Sequence, residues 1–141
     1  MTERSNLERW FFAAKQGETD TLKQMLEIIG DINIADEGNK NRALHYAANK
    51  GQLDAMHFLI EHGADLNATN DKLETPLHVT EKNIDAIRIL LEAGADPNLK
   101  DNCWDYPYYF AFYGSMTREL TDLYIKHGAN LVYHDKLNPT K

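Results

Sequence analysis

The chain has 141 residues, 43% hydrophobic and 26% charged, a composition that predicts a globular core and argues against disorder. Its formal charge of −7 would repel a phosphate backbone, so we do not expect nucleic acid as a partner, whereas a protein with a basic surface is compatible with this charge. The single cysteine, Cys103, excludes an internal disulfide, and no apolar run reaches the roughly 20 residues that span a bilayer, so we predict a cytoplasmic protein without membrane association.

The first predicted elements are a pair of helices near the N-terminus. Trp10 and Phe12 belong to a short apolar stretch that suits a first helix. Leu22 and Leu26 then follow at the spacing of one helical stripe, which indicates a second helix. Residues 31–33 read as the turn that closes this pair.

A second pair of helices is predicted after this turn. Asn41 is the candidate N-cap of its first helix, because an Asn side chain can accept a backbone N–H there. Leu53, Met56 and Leu59 form the apolar stripe of its second helix. Gly63 is expected to end that helix, since glycine tolerates the left-handed conformation past a helix C-terminus.

The third pair has the clearest start signal. Thr75 is predicted to be the N-cap, with its hydroxyl accepting a backbone N–H, and Pro76 suits the first helical position. Ile87 and Leu91 mark the stripe of the second helix. The loop between the two helices is shorter than in the preceding pair, which makes Asn83 a candidate for a tight turn.

Aromatic residues dominate the start of the fourth pair, with seven among the eleven residues 103–113. We expect three of them to pack in the core: Tyr108, Phe110 and Phe112. Trp104 and Tyr113 fall in register on a loop tip and on the inner helix. Because exposed Trp and Tyr side chains are enriched at binding hot spots, these two are predicted to contact a partner.

The second and third pairs repeat one another. Residues 43–67 and 75–98 follow the same order of apolar, small and turn residues, and His45 and His78 lie thirty-three residues apart. This period and this order of residue types resemble those of the ankyrin-repeat family. The resemblance implies an all-α solenoid of four stacked helix–loop–helix units with projecting β-hairpin-like loops. The units are expected at residues 7–38, 39–71, 72–102 and 103–135 of a single domain, residues 1–141, with a short polar tail at 136–141.

The resemblance also implies a binding surface, because partners of this family usually bind the concave face formed by hairpin tips and inner helices. On the inner helices the matching positions are Lys15, Gln16, Asn49, Lys50, Glu81, Lys82 and Tyr113. At the hairpins they are Asn39, Asn41, Asp71, Lys72, Glu74, Asn102, Cys103 and Asp105, with Trp104 between the last two.

The hairpin tips depart from the family pattern. The family usually has glycine at a tip position that needs a positive φ, whereas this chain has Lys40, Leu73 and Trp104 there. Residues with a Cβ disfavour that conformation. The departure therefore predicts that the tight turns are distorted or of another type.

No metal site, cofactor or catalytic group is predicted. His45 and His78 occupy equivalent places in stacked helices, whose axes lie about 8–10 Å apart, too far to share a zinc ion. The resemblance instead implies that each imidazole ties its own hairpin to the next by hydrogen bonds. Cys103 has no recognisable base or oxyanion pocket beside it, so we expect a contact residue rather than a nucleophile.

The expected function is that of a non-catalytic protein-binding module that is monomeric alone. An inhibitor, an immunity-type masking protein and a small adaptor all fit this interpretation. The alternative is a structural or assembly role, with self-association through the aromatic C-terminal repeat. An enzyme is the third hypothesis, and it would need a catalytic pocket that the sequence does not indicate.

Overall fold

The computed structural model describes residues 2–112 and 117–131, except for the side chains of residues 110–112. Within these residues the chain forms seven α-helices and one short 3-10 helix, and no β-strand. The helices are α1 (Glu3–Gln16), α2 (Thr19–Ile29), α3 (Ala43–Lys50), α4 (Leu53–Glu61), the 3-10 helix (His78–Thr80), α5 (Ile84–Ala93), α6 (Pro107–Phe112) and α7 (Arg118–Lys126).

The helices stack in successive pairs. Helix α1 packs on α2 and on α3, α3 packs on α4 and on the 3-10 helix, and the 3-10 helix packs on α5 and α6. The outer helices form their own row, since α2 contacts α4, α4 contacts α5, and α5 contacts α7. In the first three pairs each element thus contacts its partner and its equivalent in the next pair, as in a solenoid. The predicted all-α stacked architecture is confirmed.

The core follows the predicted apolar stripes. Residues of the inner and outer helices meet between the pairs and exclude water almost completely. The largest side chains with less than 2% of their surface exposed include Trp10, Leu22, Met25, Leu44, Met56, Leu59, Leu77, Ile87, Leu90 and Tyr124. Tyr108 is also buried, as predicted. The predictions for the side chains of Phe110 and Phe112, for Tyr113 and for the tail 136–141 lie outside the described residues.

The predicted cap of α3 is wrong. The N-cap residue is Arg42, whose backbone N–H donates to Nδ1 of His45 at 3.0 Å. Asn41 lies one position earlier, and its Oδ1 accepts a 2.9 Å hydrogen bond from the side-chain amide of Asn70. The histidine ring therefore satisfies the first orphan donor of the helix, and the asparagine is used to connect two hairpins.

The third pair also starts differently from its prediction. The hydroxyl of Thr75 lies 2.9 Å from Nδ1 of His78 instead of accepting a backbone N–H. The inner helix of this third pair is only the 3-10 turn His78–Thr80. Glu81 ends that turn with φ of 52° and ψ of −117°. Asn83 is the N-cap of α5, with its Oδ1 accepting the N–H of Ala86 at 3.1 Å. The tight turn thus falls at Glu81, and Asn83 starts the next helix.

The loops after the outer helices are joined by a repeated hydrogen bond. In each of the first three pairs an asparagine side-chain oxygen accepts the backbone N–H of a residue in the following loop. The bonds join Asn33 to Asp65, Asn67 to Asp96 and Asn98 to Asn130, with lengths of 2.7, 2.9 and 2.8 Å. Such bonds connect neighbouring pairs along the whole described length and fix the spacing at which the hairpins stand.

Candidate interaction surface

The second and third hairpins are built on the same internal hydrogen bonds. The Oδ1 atom of Asn70 accepts the backbone N–H groups of Lys72 and Glu74, both at 3.0 Å. Asp101 does the same for Cys103 and Asp105, at 2.8 and 2.9 Å. One buried polar side chain therefore holds each loop closed from within and leaves the tip side chains outside.

Consecutive hairpins are also bonded to each other. The backbone N–H of Asp71 donates to the carbonyl of Asn39, and the N–H of Asn102 donates to the carbonyl of Lys72, each at 2.9 Å. The first hairpin, one residue longer, is closed by a 2.8 Å bond from the N–H of Asp36 to the carbonyl of Asn41. The three tips therefore form a connected row rather than independent loops.

The two central histidines fix this row to the inner helices. Nδ1 of His45 accepts the N–H of Arg42, so Nε2 carries the proton and donates to the carbonyl of Glu74 at 2.8 Å. His78 makes the equivalent bond to the carbonyl of Asp105 at 3.0 Å. The prediction that each imidazole ties its hairpin to the next is confirmed.

Burial keeps both rings neutral. Loss of hydration lowers the pKa of His45 to about 4, and the same cause lowers the pKa of His78. A neutral imidazole is what the geometry needs, because Nδ1 must accept a bond while Nε2 donates one. Among the described residues, no group of three or more His, Cys, Asp or Glu side chains is placed to hold a metal ion.

The tip positions without glycine keep the conformation that glycine would adopt. Lys40, Leu73 and Trp104 have φ angles of 64°, 57° and 66°. The expected change to another turn type therefore does not occur. A left-handed conformation at a residue with a Cβ costs about 1–2 kcal/mol. The packing and hydrogen bonds of the hairpins hold all three residues in it.

Two of these strained tips present large apolar side chains to solvent. Leu73 is 50% exposed and Trp104 is 74% exposed. The ammonium group of Lys100 lies 5.5 Å from the centroid of the Trp104 ring and 5.2 Å from that of Tyr106. This cation–π contact supports one side of the indole and leaves most of its surface open.

The predicted contact residues divide into an exposed set and a partly buried set. The exposed residues are Gln16, Asn49, Lys50, Asp71, Lys72, Glu81, Lys82, Asn102, Cys103 and Trp104. The partly buried residues are Lys15, Asn39, Asn41, Glu74 and Asp105. Tyr113 lies outside the described residues.

Three of the partly buried residues have structural roles. The side-chain oxygen of Asn39 accepts the N–H of Asn41 at 2.9 Å, and its amide donates to the hydroxyl of Tyr46 at 3.0 Å. Asn41 and Glu74 both accept hydrogen bonds from Asn70. These side chains stabilise the hairpins from within. The exposed tip residues beside them therefore offer more accessible surface to a partner than these three residues do.

Sequence reasoning missed two aromatic residues that face the first hairpin. Phe12 and Tyr46 occupy equivalent positions in the first two inner helices, and Phe12 is 56% exposed. The Tyr46 hydroxyl donates a 2.7 Å hydrogen bond to Asp36, and burial together with this bond raises the pKa of Tyr46. Lys15 lies over the Tyr46 ring, with Nζ 4.4 Å from the centroid. The sequence did contain a signal for both residues. Each directly follows the inner-helix histidine, or the residue that replaces it in the first pair, and this position of the helix lies toward the hairpins.

A groove of about 850 Å³ lies between α1 and the first hairpin. Its lining combines an apolar floor with charged side chains of both signs. The lining residues are Glu3, Arg4, Leu7, Glu8, Phe11, Phe12, Lys15, Asp36, Glu37 and Gly38.

None of the helices in the described part of the chain is long and apolar enough to cross a bilayer.

Comparison with known proteins gives one family match. A family model described as ankyrin repeats, in three copies, matches residues 10–101. The matched segment runs from α1 to the start of the third hairpin, and so includes the tips at Lys40 and Leu73 but stops short of Trp104.

Several curated proteins are similar over part of their length. A palmitoyltransferase of Schizosaccharomyces pombe is 48% identical over 66 residues, which are 45% of this chain and 10% of that protein. A palmitoyltransferase of Kluyveromyces lactis is 38% identical over 80 residues, 55% of this chain and 11% of that protein. An ankyrin repeat-containing protein of S. pombe is 38% identical over 72 residues, 51% of this chain and 34% of that protein. The similarity thus covers about a tenth of each palmitoyltransferase and about a third of the last relative.

Proposed function

This chain belongs to the ankyrin-repeat family, and we propose that it binds a partner protein through the row of hairpin tips, with Leu73 and Trp104 as its anchors. Ankyrin repeats are in general protein-interaction modules, and stacked repeats present extended surfaces for that purpose. The binding is non-catalytic and acts by covering a surface of the partner. Masking or inhibition of that partner is the proposed outcome, and recruitment as an adaptor is the other.

The observation that carries this proposal is the strain at the tips. Leu73 and Trp104 have positive φ angles of 57° and 66°, where glycine would relieve the strain. Their side chains gain little from packing inside the protein, since they are 50% and 74% exposed. Strained backbone conformations concentrate at functional sites, and exposed Trp is enriched at binding hot spots. Contact with a partner accounts for both features at once.

The row is also held together by contacts within the chain. The hydrogen bonds from Asp71 to Asn39 and from Asn102 to Lys72 join neighbouring tips, and Lys100 supports the Trp104 ring. Side chains that are already ordered lose less conformational entropy when a partner docks. The tips are therefore suited to act as preorganised anchors.

The test uses a variant in which binding and stability are expected to change in opposite directions. Leu73→Gly/Trp104→Gly removes both anchors and relieves both strained φ angles. Proteins captured from the native organism by the wild type are identified, and the Kd of the purified partner is measured by calorimetry. We expect the double variant to bind at least about 30-fold more weakly, which corresponds to the loss of two anchors of about 1 kcal/mol each.

The matched control is Ile125→Ala on α7, which removes an apolar side chain that is 54% exposed on an outer helix. It should leave the Kd unchanged. A folded double variant with wild-type affinity would refute the proposal. Enzyme assays of the identified partner, with and without the chain, then separate inhibition from recruitment.

The alternative, self-association through the aromatic C-terminal repeat, has less surface available in the described residues. Tyr108 is only 5% exposed, stacks on Tyr106 at 5.0 Å, and donates its hydroxyl to the carbonyl of Asn130 at 2.6 Å. Trp104 is then the main exposed aromatic residue there. Light scattering at high concentration tests this alternative, since a dimer that Trp104→Gly abolishes would favour assembly over partner binding.

A further inference from the structure

The groove between α1 and the first hairpin has an aromatic floor that the hairpin-tip proposal does not use. Phe11 is only 6% exposed, and its ring stands edge-on to Tyr46 with centroids 5.6 Å apart. Phe12, the next residue, is 56% exposed and lines the same groove. One aromatic ring is thus fixed in the scaffold while its neighbour offers an open face.

The charges around this floor are unbalanced. Four acidic and two basic side chains line the groove, an excess of two negative charges. Both basic groups are already engaged, because Arg4 pairs with Glu8 at 3.3 Å and Lys15 lies over the Tyr46 ring.

The carboxylates of the groove are engaged to different degrees. Asp36 accepts hydrogen bonds from the Tyr46 hydroxyl and the N–H of Gly38, at 2.7 and 3.0 Å. In residues 2–112 and 117–131, by contrast, no cation lies within ion-pair distance of Glu37 or Glu3. The groove therefore has an open aromatic face and a hairpin carboxylate, Glu37, that is without a counter-ion among the described residues.

This combination fits one kind of side chain best. A guanidinium group is flat, stacks on an aromatic face, and donates two parallel hydrogen bonds to one carboxylate. A lysine ammonium is a more strongly hydrated point charge and matches only the electrostatic part of the groove. Phe12 and Glu37 supply the stacking face and the carboxylate, respectively.

We propose that this groove receives an arginine side chain of the partner protein, with its guanidinium stacked on Phe12 and paired with Glu37. The inference rests on the proposed function, since the arginine belongs to a partner that also meets the tips. The groove lies at the first hairpin and Trp104 at the third, so these two contact sites lie at opposite ends of the row. The partner of this proposal therefore has a basic segment that carries an arginine.

The test uses a small probe instead of the unidentified partner. The peptide acetyl-Gly-Arg-Gly-amide is titrated into nitrogen-15-labelled chain, and the citrulline peptide, which is isosteric and neutral, serves as its control. We expect saturable shifts at the backbone amides of Phe12, Glu37 and Gly38. The citrulline peptide should bind about tenfold more weakly, because it keeps the shape but loses the charge.

Variants of the chain complete the test. Phe12→Ala and Glu37→Gln should each weaken binding of the arginine peptide about tenfold, and a control, Glu27→Gln on the exposed side of α2, should leave it unchanged. Equal affinity for the citrulline peptide, shifts spread over acidic residues of the whole surface, or no saturable binding would each overturn the proposal. Such a failure leaves the tip function standing, because Leu73→Gly/Trp104→Gly tests that function against the partner itself.

Discussion

The imidazole of His45 donates a 2.8 Å hydrogen bond to the backbone carbonyl of Glu74, twenty-nine residues further along the chain. A side chain of one inner helix thus holds the hairpin of the next repeat, and Glu74 directly follows the strained tip residue Leu73. The surface proposed to bind a partner is therefore positioned from the buried side of the helices. Stability of the scaffold and geometry of the surface are consequently linked.

Acidification should destabilise the chain through His45. Its pKa falls from an ordinary value of 6.5 to about 4 in the folded state, so below pH 6.5 the unfolded state binds the extra proton more readily. The contribution of His45 to the free energy of unfolding is then fully present above about pH 6.5 and is lost as the pH falls toward 4. About 2 kcal/mol of it is lost at pH 5. The lowered pKa of His78 acts in the same direction. Urea unfolding at pH 7.5, 6 and 5 measures this loss.

The control for this prediction is His45→Gln, which removes the titrating group. The variant should be less stable than the wild type at pH 7.5, with a shallower decline on acidification. Parallel decline of wild type and His45→Gln would show that other groups govern acid unfolding.

Leu73→Gly should raise stability while it weakens binding. Glycine adopts φ of 57° without a Cβ clash, but it also makes the unfolded chain more flexible, so the net gain is about 0.5–1 kcal/mol. Leu73→Ala removes the same side chain yet keeps the Cβ, and it should show no such gain. Urea midpoints of the two variants decide the point. A glycine variant less stable than the alanine variant would contradict strain at the tip.

Glu81→Gly should stabilise the short loop of the third pair by about 1 kcal/mol. Glu81 has φ of 52° and ψ of −117°, a combination that glycine adopts far more readily. Its neighbour Lys82 has no positive φ, so Lys82→Gly should lose about 0.5–1 kcal/mol through the flexibility of the unfolded state. Thermal unfolding of both variants provides the comparison, and changes of the same sign would argue against strain at Glu81.

Gly51→Ala should be more damaging than Gly63→Ala, although both glycines have positive φ angles, 66° and 89°. A Cβ at position 51 would lie 2.4 Å from the side-chain nitrogen of Asn83, whereas a Cβ at position 63 would meet nothing within 4 Å. We expect losses of about 2–3 kcal/mol and about 1 kcal/mol. Because Asn83 caps α5, Asn83→Ala alone should lose about 1 kcal/mol and relieve part of the Gly51→Ala defect.

Local patterns in the sequence predicted much of the scaffold. The stripe of Leu53, Met56 and Leu59 specified an outer helix, because apolar residues at helical spacing must share one buried face. The roles of His45 and His78 came from the resemblance, and the structure confirms them. The cap at Asn41 was misplaced because a distant partner competed with the local one. Asn41 bonds to Asn70 across twenty-nine residues instead of capping its own helix.

The candidate surface was predictable only in outline. The register placed Trp104 on a tip, and the indole is indeed exposed there. The exposed set of Asp71, Lys72, Asn102 and the other implied contacts remains a prediction about binding. Phe12 and its groove were missed, because an aromatic residue in an apolar stretch of sequence resembles a core residue until the hairpin beside it is placed.

The sequence by itself determined the architecture, since the period of thirty-three residues and the helical stripes are properties of neighbours along the chain. Only the tertiary structure decided how the tips are held. Lys40, Leu73 and Trp104 adopt left-handed angles that their own preferences oppose. Hydrogen bonds within and between the hairpins outweigh about 1–2 kcal/mol of local strain at each tip, and buried imidazoles add to them beside Leu73 and Trp104. Local preference is a property of a residue, whereas that balance exists only once the repeats are stacked.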